Sequence, residues 1–149
     1  MCSSDLAANT VGAWKYEVTD FSNGVTITND GSSNPTNITI ANAGKYNIQF
    51  STQYHNTGGG GSGKQVTIWL RKNGTDEPWS ATHVNVDTNT PYAVAAWNFV
   101  VNASSGDKYQ LMWATDNANI QAEASAAQAA PFVHPAIPSI ILTVTQSGV

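Results

Sequence analysis

From Asn56 to Lys64 the chain reads Asn-Thr-Gly-Gly-Gly-Gly-Ser-Gly-Lys, the stretch whose residue types and spacing come nearest to a known chemistry. A phosphate-binding loop sets a glycine, four residues and then Gly-Lys-[Ser/Thr] ahead of a helix. Its backbone N–H groups then cradle phosphate, and its hydroxyl ligates magnesium. Gly58 to Lys64 supplies everything but the hydroxyl, because Gln65 follows. What comes next, Val66-Thr67-Ile68-Trp69-Leu70-Arg71, alternates in the manner of a strand rather than a helix. The glycine run is therefore expected to be a flexible crossing between two strands.

The other candidates for chemistry are scattered. His55, His83 and His134 have no pair at metal-motif spacing, so no metal site is assigned. A glycosidase needs two carboxylates flanking one bond. Asp76 and Glu77 are adjacent, but they sit in the turn-like Lys-Asn-Gly-Thr-Asp-Glu-Pro-Trp, and no second acid stands beside them in a pocket-forming pattern. There is no Gly-x-Ser-x-Gly elbow, and Cys2 lies in the terminal segment. No catalytic residue and no cofactor is assigned, and the sequence points away from an enzyme. The five tryptophans are many for 149 residues. Trp97 and Trp113 alternate with core positions, whereas Trp79, in Glu-Pro-Trp-Ser beside a turn, is the candidate for an exposed platform on which a sugar ring could stack.

Whatever positions these residues is built with little charge. Asp, Glu, Lys and Arg make up only 11% of the chain, against a usual share of about 25%. The polar surface must come from uncharged groups, here 16 Thr and 15 Asn, which favour strands and turns. The formal net charge is −4 and the six Lys and Arg are dispersed, which argues against nucleic-acid binding. The single cysteine excludes an intrachain disulfide framework. No apolar run is long enough to span a membrane.

Period-two runs separated by Gly, Asn, Asp, Ser or Pro predict ten short strands: Val11–Val18, Val25–Thr28, Asn37–Ile40, Gly44–Gln53, Gln65–Lys72, Ser80–Val86, Pro91–Val101, Lys108–Ala114, Ile120–Glu123 and Ser139–Gln146. Ile120–Ala130 is alanine-rich but lacks an apolar stripe, so it reads as strand then loop. The expectation is one all-β sandwich or barrel domain over residues 11–149, behind a disordered or atypical segment at residues 1–10. Several strands are apolar on both faces. Trp69 opposes Val66, Ile68 and Leu70; Met112 opposes Tyr109, Leu111 and Trp113; Ile141 opposes Ile140, Leu142 and Val144. A two-layer sandwich buries only one face of each sheet, so the surplus is expected to meet other copies of the chain.

Four stretches resemble C1q-like and tumour-necrosis-factor-like domains, in the order and spacing of that family. Asn42–Phe50 ("NAGKYNIQF") resembles its Gly-x-Tyr-x-aromatic strand, and Val66–Gly74 ("VTIWLRKNG") its hydrophobic strand closing on Lys-Asn-Gly. Ser104–Trp113 ("SSGDKYQLMW") resembles its Gly-Asp-x-apolar-x-Leu element, and Ile137–Gln146 ("IPSIILTVTQ") its closing strand. The wording "YNIQFS", "IWLRKNGTD", "AAWNFVV" and "QLMW" is closer still to C1q-like virion proteins of tailed phages, particularly those of cyanobacteria. The resemblance implies a ten-stranded antiparallel jelly-roll sandwich assembled as a homotrimer. Trp69, Gln110, Met112 and Ile141 would then face the threefold axis. It implies a non-enzymatic structural or appendage protein of the virion, made in the bacterial cytoplasm, whose partners are itself and other virion proteins. The alternative it leaves open is a receptor- or glycan-binding module at a fibre tip, with Trp79 as the platform for a host-surface glycan. The departure from the family is at the start, where no collagen repeat or heptad stalk precedes the domain.

Overall fold

The chain, described here from a computed structural model over residues 4–58 and 64–149, runs through eleven strands. They are β1 (Val11–Ala13), β2 (Val25–Asn29), β3 (Pro35–Ile40), β4 (Gly44–Asn56), β5 (Gln65–Lys72), β6 (Thr75–Asp76), β7 (Thr82–Asn85), β8 (Tyr92–Ala103), β9 (Lys108–Thr115), β10 (Ile120–Ala122) and β11 (Ile140–Gly148). The glycine run from Gly59 to Gly63 and Cys2 lie outside the described residues, so the expected flexible crossing does too. The described residues contain no helix, and β5 begins directly after Lys64.

The strands form two antiparallel sheets, a β-sandwich. The seven-stranded sheet has the order β2-β3-β9-β5-β6, with β1 also on β9 and β7 also on β5. In the four-stranded sheet β4 is central: β8 pairs along one side, while β11 and β10 share the other. The β4–β8 ladder is the longest, from Gly44↔Ala103 to His55↔Tyr92 without a register shift. It follows from the sequence, because Tyr46, Ile48, Phe50 and Tyr54 alternate with polar residues and put one face of β4 into the core. Gly44 starts this strand because nothing larger fits. A Cβ there would come within 2.6 Å of the Gly148 carbonyl oxygen on β11.

The core between the sheets is aromatic at its centre. Trp14, Tyr54 and Trp113 are fully buried with ring centroids 5.3 to 5.8 Å apart, and Ile38, Ile48, Ile68 and Leu111 complete the filling. Asn73 and Gly74 both take positive φ and turn β5 into β6 in two residues, with Lys72 facing Thr75 across the ladder. The first strand is shorter than the Val11–Val18 run predicts. The Trp14 N–H still bonds the Leu111 carbonyl on β9 at 2.9 Å, but beyond it the backbone turns away: the Tyr16 N–H bonds the Pro35 carbonyl at 2.8 Å, and Val18 is exposed. Residues 4–10, expected to be disordered or atypical, are tied to the sandwich. The Asn9 N–H bonds the Thr115 carbonyl at 2.7 Å, and the Asp5 carboxylate accepts from the Ala122 N–H at 2.8 Å.

One buried charge clasps β5 to the β8–β9 turn. Burial opposes ionisation of Asp107, but the Lys72 ammonium at 2.9 Å, the Ser104 N–H and the Asn73 amide together outweigh it and bring its pKa down to about 2. The hydrogen bond to Asp107 in turn pushes Lys72 upward. A carboxylate held below its ordinary value stabilises the fold fully above that value, near 3.8, and loses the contribution as pH falls through about 2. A raised lysine contributes below its ordinary value, 10.5, and loses the contribution as pH climbs past it. The Tm difference between wild type and Asp107→Asn is therefore expected to be constant near neutrality and to narrow between pH 4 and pH 2. A difference unchanged across that acid window would remove the clasp.

Candidate interaction face

The expected axis-facing set does not form one surface. Trp69 and Met112 are cross-strand partners on the outward side of the seven-stranded sheet, with Gln110 two residues along β9, whereas Ile141 belongs to the other sheet. Met112 is buried at 3% exposure within the single chain, flanked by Trp69 on β5 and Ala13 on β1. It is no surplus residue awaiting a partner. Trp69 is half-buried and its indole N–H donates to Asp76 Oδ1 at 2.9 Å; the Gln110 amide donates to Thr36 Oγ1 at 2.8 Å. Of the four, Ile141 alone is open to water, at 53%.

Apart from Val11 on β1, the exposed large apolar residues of the described strands collect instead on the outward side of β8, β4 and β11. Val94, Val100 and Tyr92 on β8 join Ile141 there, each more than half exposed. The ladder arranges them in rows across the sheet: Ile141–Ser51–Ala96, Thr143–Gln49–Asn98 and Thr145–Asn47–Val100. Ser51 and Ala96 keep the first row flat. Between the other two rows Asn98 donates to Asn47 Oδ1 at 2.7 Å. Among all residues of these three strands, Lys45 at one end is the single Lys, Arg, Asp or Glu. Away from Lys45, a sheet face with polar but uncharged groups beside exposed Val and Ile is cheap to dehydrate, because no ion must shed its hydration shell.

The flanks of the same sheet are open. Among the described residues β8 and β11 each pair with β4 only, so each carries a row of backbone N–H and C=O groups on its far side. Neither edge has the lysine, proline or inward charge that ordinarily blunts such a strand. The side chains there face the core without being fully covered: Trp97 and Phe99 on β8, Leu142 and Val144 on β11 are half-buried. Trp97, expected in the core, meets Phe50 edge-on at 4.7 Å from this open flank.

The residues weighed for chemistry lie apart. His55 on β4 stacks on Tyr92 at 4.3 Å with its Nδ1 3.4 Å from Glu123 Oε2. His83 Nδ1 meets Thr67 Oγ1 at 2.8 Å on the other sheet, and His134 stands near Phe132 in the long β10–β11 connection. Among the described residues, no three His, Cys, Asp or Glu side chains gather in a metal-holding group. The Arg71 guanidinium, then the Trp69 indole, hold the Asp76 carboxyl below the usual range, so it is ionised rather than poised to donate a proton. A surface depression of about 270 Å³ lined by Asn9, Gln65, Thr67 and Asp116 is open and polar.

Trp79 stands clear of the protein at 102% exposure with φ +63°. The sequence signals that tryptophan as exposed. It also carries the signal for β8, whose second face, Tyr92, Val94 and Val100, is as apolar as the surplus on the closing strand. No protein-family model and no curated protein matches the chain.

Proposed function

We propose that this chain is a non-enzymatic structural or appendage protein of a phage particle, a C1q/TNF-like jelly roll that works as a homotrimer. The virion assignment rests on the resemblance of its strand wording to C1q-like phage proteins. The jelly-roll reading is supported by pairings between strands distant in sequence: β4 beside both β8 and β11, and β9 between β3 and β5. The observation that carries self-association is the β8–β4–β11 face, uncharged but for Lys45 at one end, with an unprotected edge on either side.

The two flanks differ, since β8 runs twelve residues unbroken and β11 nine with a register shift after Gln146. Contacts between unlike patches of identical chains are heterologous. Such contacts close into a ring when the rotation permits and otherwise continue as a filament. A trimer is the ring that the resemblance specifies. Light scattering of the purified protein at micromolar concentration is expected to give three times the chain mass. A well-behaved monomer would overturn the assembly, and absence of the chain from purified particles by mass spectrometry would overturn the virion role.

A further inference from the structure

We propose that the Trp79 turn is a stacking platform for a neutral carbohydrate. The β6–β7 connection puts Trp79 where a tryptophan is disfavoured twice over. Its indole is fully exposed, and its backbone is left-handed at φ +63°, a conformation that suits glycine. Looseness does not explain either feature, because both ends of the turn are fastened to β5. The Glu77 N–H bonds the Leu70 carbonyl at 2.9 Å, and Ser80 Oγ accepts the Leu70 N–H at 3.1 Å while lying 2.8 Å from the Glu77 carbonyl as donor. Pro78 fixes the residue before. A rigid turn that displays a ring at a conformational cost is the arrangement expected of a binding element rather than of a frayed loop.

The surroundings select the ligand class. The strands that the turn joins or is fastened to, β5, β6 and β7, carry no exposed large hydrophobic residue, so they add no apolar patch of the kind a protein hot spot or a lipid surface would need. Its neighbours along the turn are Asp76 and Glu77, with Arg71 bonded to Asp76 Oδ1 at 2.7 Å. The Trp69 indole shares that oxygen, and among the described residues Oδ2 accepts nothing. An exposed flat ring on a turn that also carries a carboxylate acceptor matches a pyranose, which offers C–H groups on one face and hydroxyl donors at its rim. Two adjacent carboxylates disfavour an acidic sugar.

The test does not depend on self-association. Tryptophan emission would be titrated with cellohexaose, maltohexaose and chitohexaose, with hexagalacturonate as the acidic comparison. At least one neutral hexamer is expected to shift the emission to the blue with a saturable isotherm. That binding should weaken roughly tenfold in Trp79→Ala and survive in Trp79→Tyr, as an aromatic contact requires. Trp79→Gly is expected to abolish binding while raising Tm, since glycine relieves the left-handed backbone. No binding by any neutral hexamer, preference for hexagalacturonate, undiminished binding by Trp79→Ala, or a lower Tm in Trp79→Gly would each overturn the proposal.

Discussion

Trp113→Ala is expected to cost about 3–5 kcal/mol of stability, the range for removing a large aromatic from a packed interior. Trp113 has no exposure to water and touches both layers: it stacks on Trp14 at 5.3 Å and meets Tyr54 of the other sheet at 5.4 Å. On its own sheet it lies opposite Gly12, which has no side chain to move into the void. In a domain of this size the fall in Tm should be on the order of 10 °C, read from a thermal melt. Trp113→Phe should cost far less. It keeps most of the ring and deletes a buried indole N–H that has no hydrogen-bond partner among the described residues, a group that is itself unfavourable. Trp97→Ala, at the open flank, should also cost less than Trp113→Ala. The reverse order would place the centre of the core elsewhere.

The difference between these two tryptophans shows what the sequence contains and what it withholds. Period-two alternation states which residues share a face, and it does so well: Gln65–Lys72 is a strand with the predicted ends, and Tyr46, Ile48 and Phe50 point inward together. Alternation says nothing about which strands are neighbours. Trp97 and Trp113 each alternate with core residues, yet β9 is central in its sheet and β8 is an edge, so one is buried and the other half-open. Trp69, Met112 and Ile141 share the surplus parity on their strands, but alternation does not say that Ile141 belongs to the other sheet. Their parity was legible, but their sheets were not, because strand order is set by long-range pairing. Local signals failed where tertiary contacts overrode them. Tyr16 continues the first apolar run but bonds Pro35. β6 is two residues long, too short to show a period, although Asn73-Gly74 announces the hairpin that makes it.

The interaction face makes the second large prediction. If the chain assembles as proposed, Val100→Asp and Ile141→Asp are each expected to weaken the trimer by about a hundredfold or more, and together to leave a monomer. An unpaired carboxylate on a dehydrated face costs several kcal/mol, and each ~1.4 kcal/mol is tenfold in Kd. Both side chains are more than half exposed in the single chain, so neither change should lower the Tm of the isolated fold by more than about 0.5 kcal/mol's equivalent. Met112→Asp separates the two effects: Met112 is buried within one copy, so that variant should lose stability whatever its oligomeric state. Trp69→Asp, on the opposite sheet, should leave the trimer mass unchanged. Sedimentation velocity and thermal melts on these five variants read both quantities. A Val100→Asp, Ile141→Asp double variant that stays trimeric would move the contact off this sheet. If Trp69→Asp alone dissociated the trimer, the seven-stranded sheet would be the interface instead. The edges of β8 and β11 would then need another reason for carrying no charge.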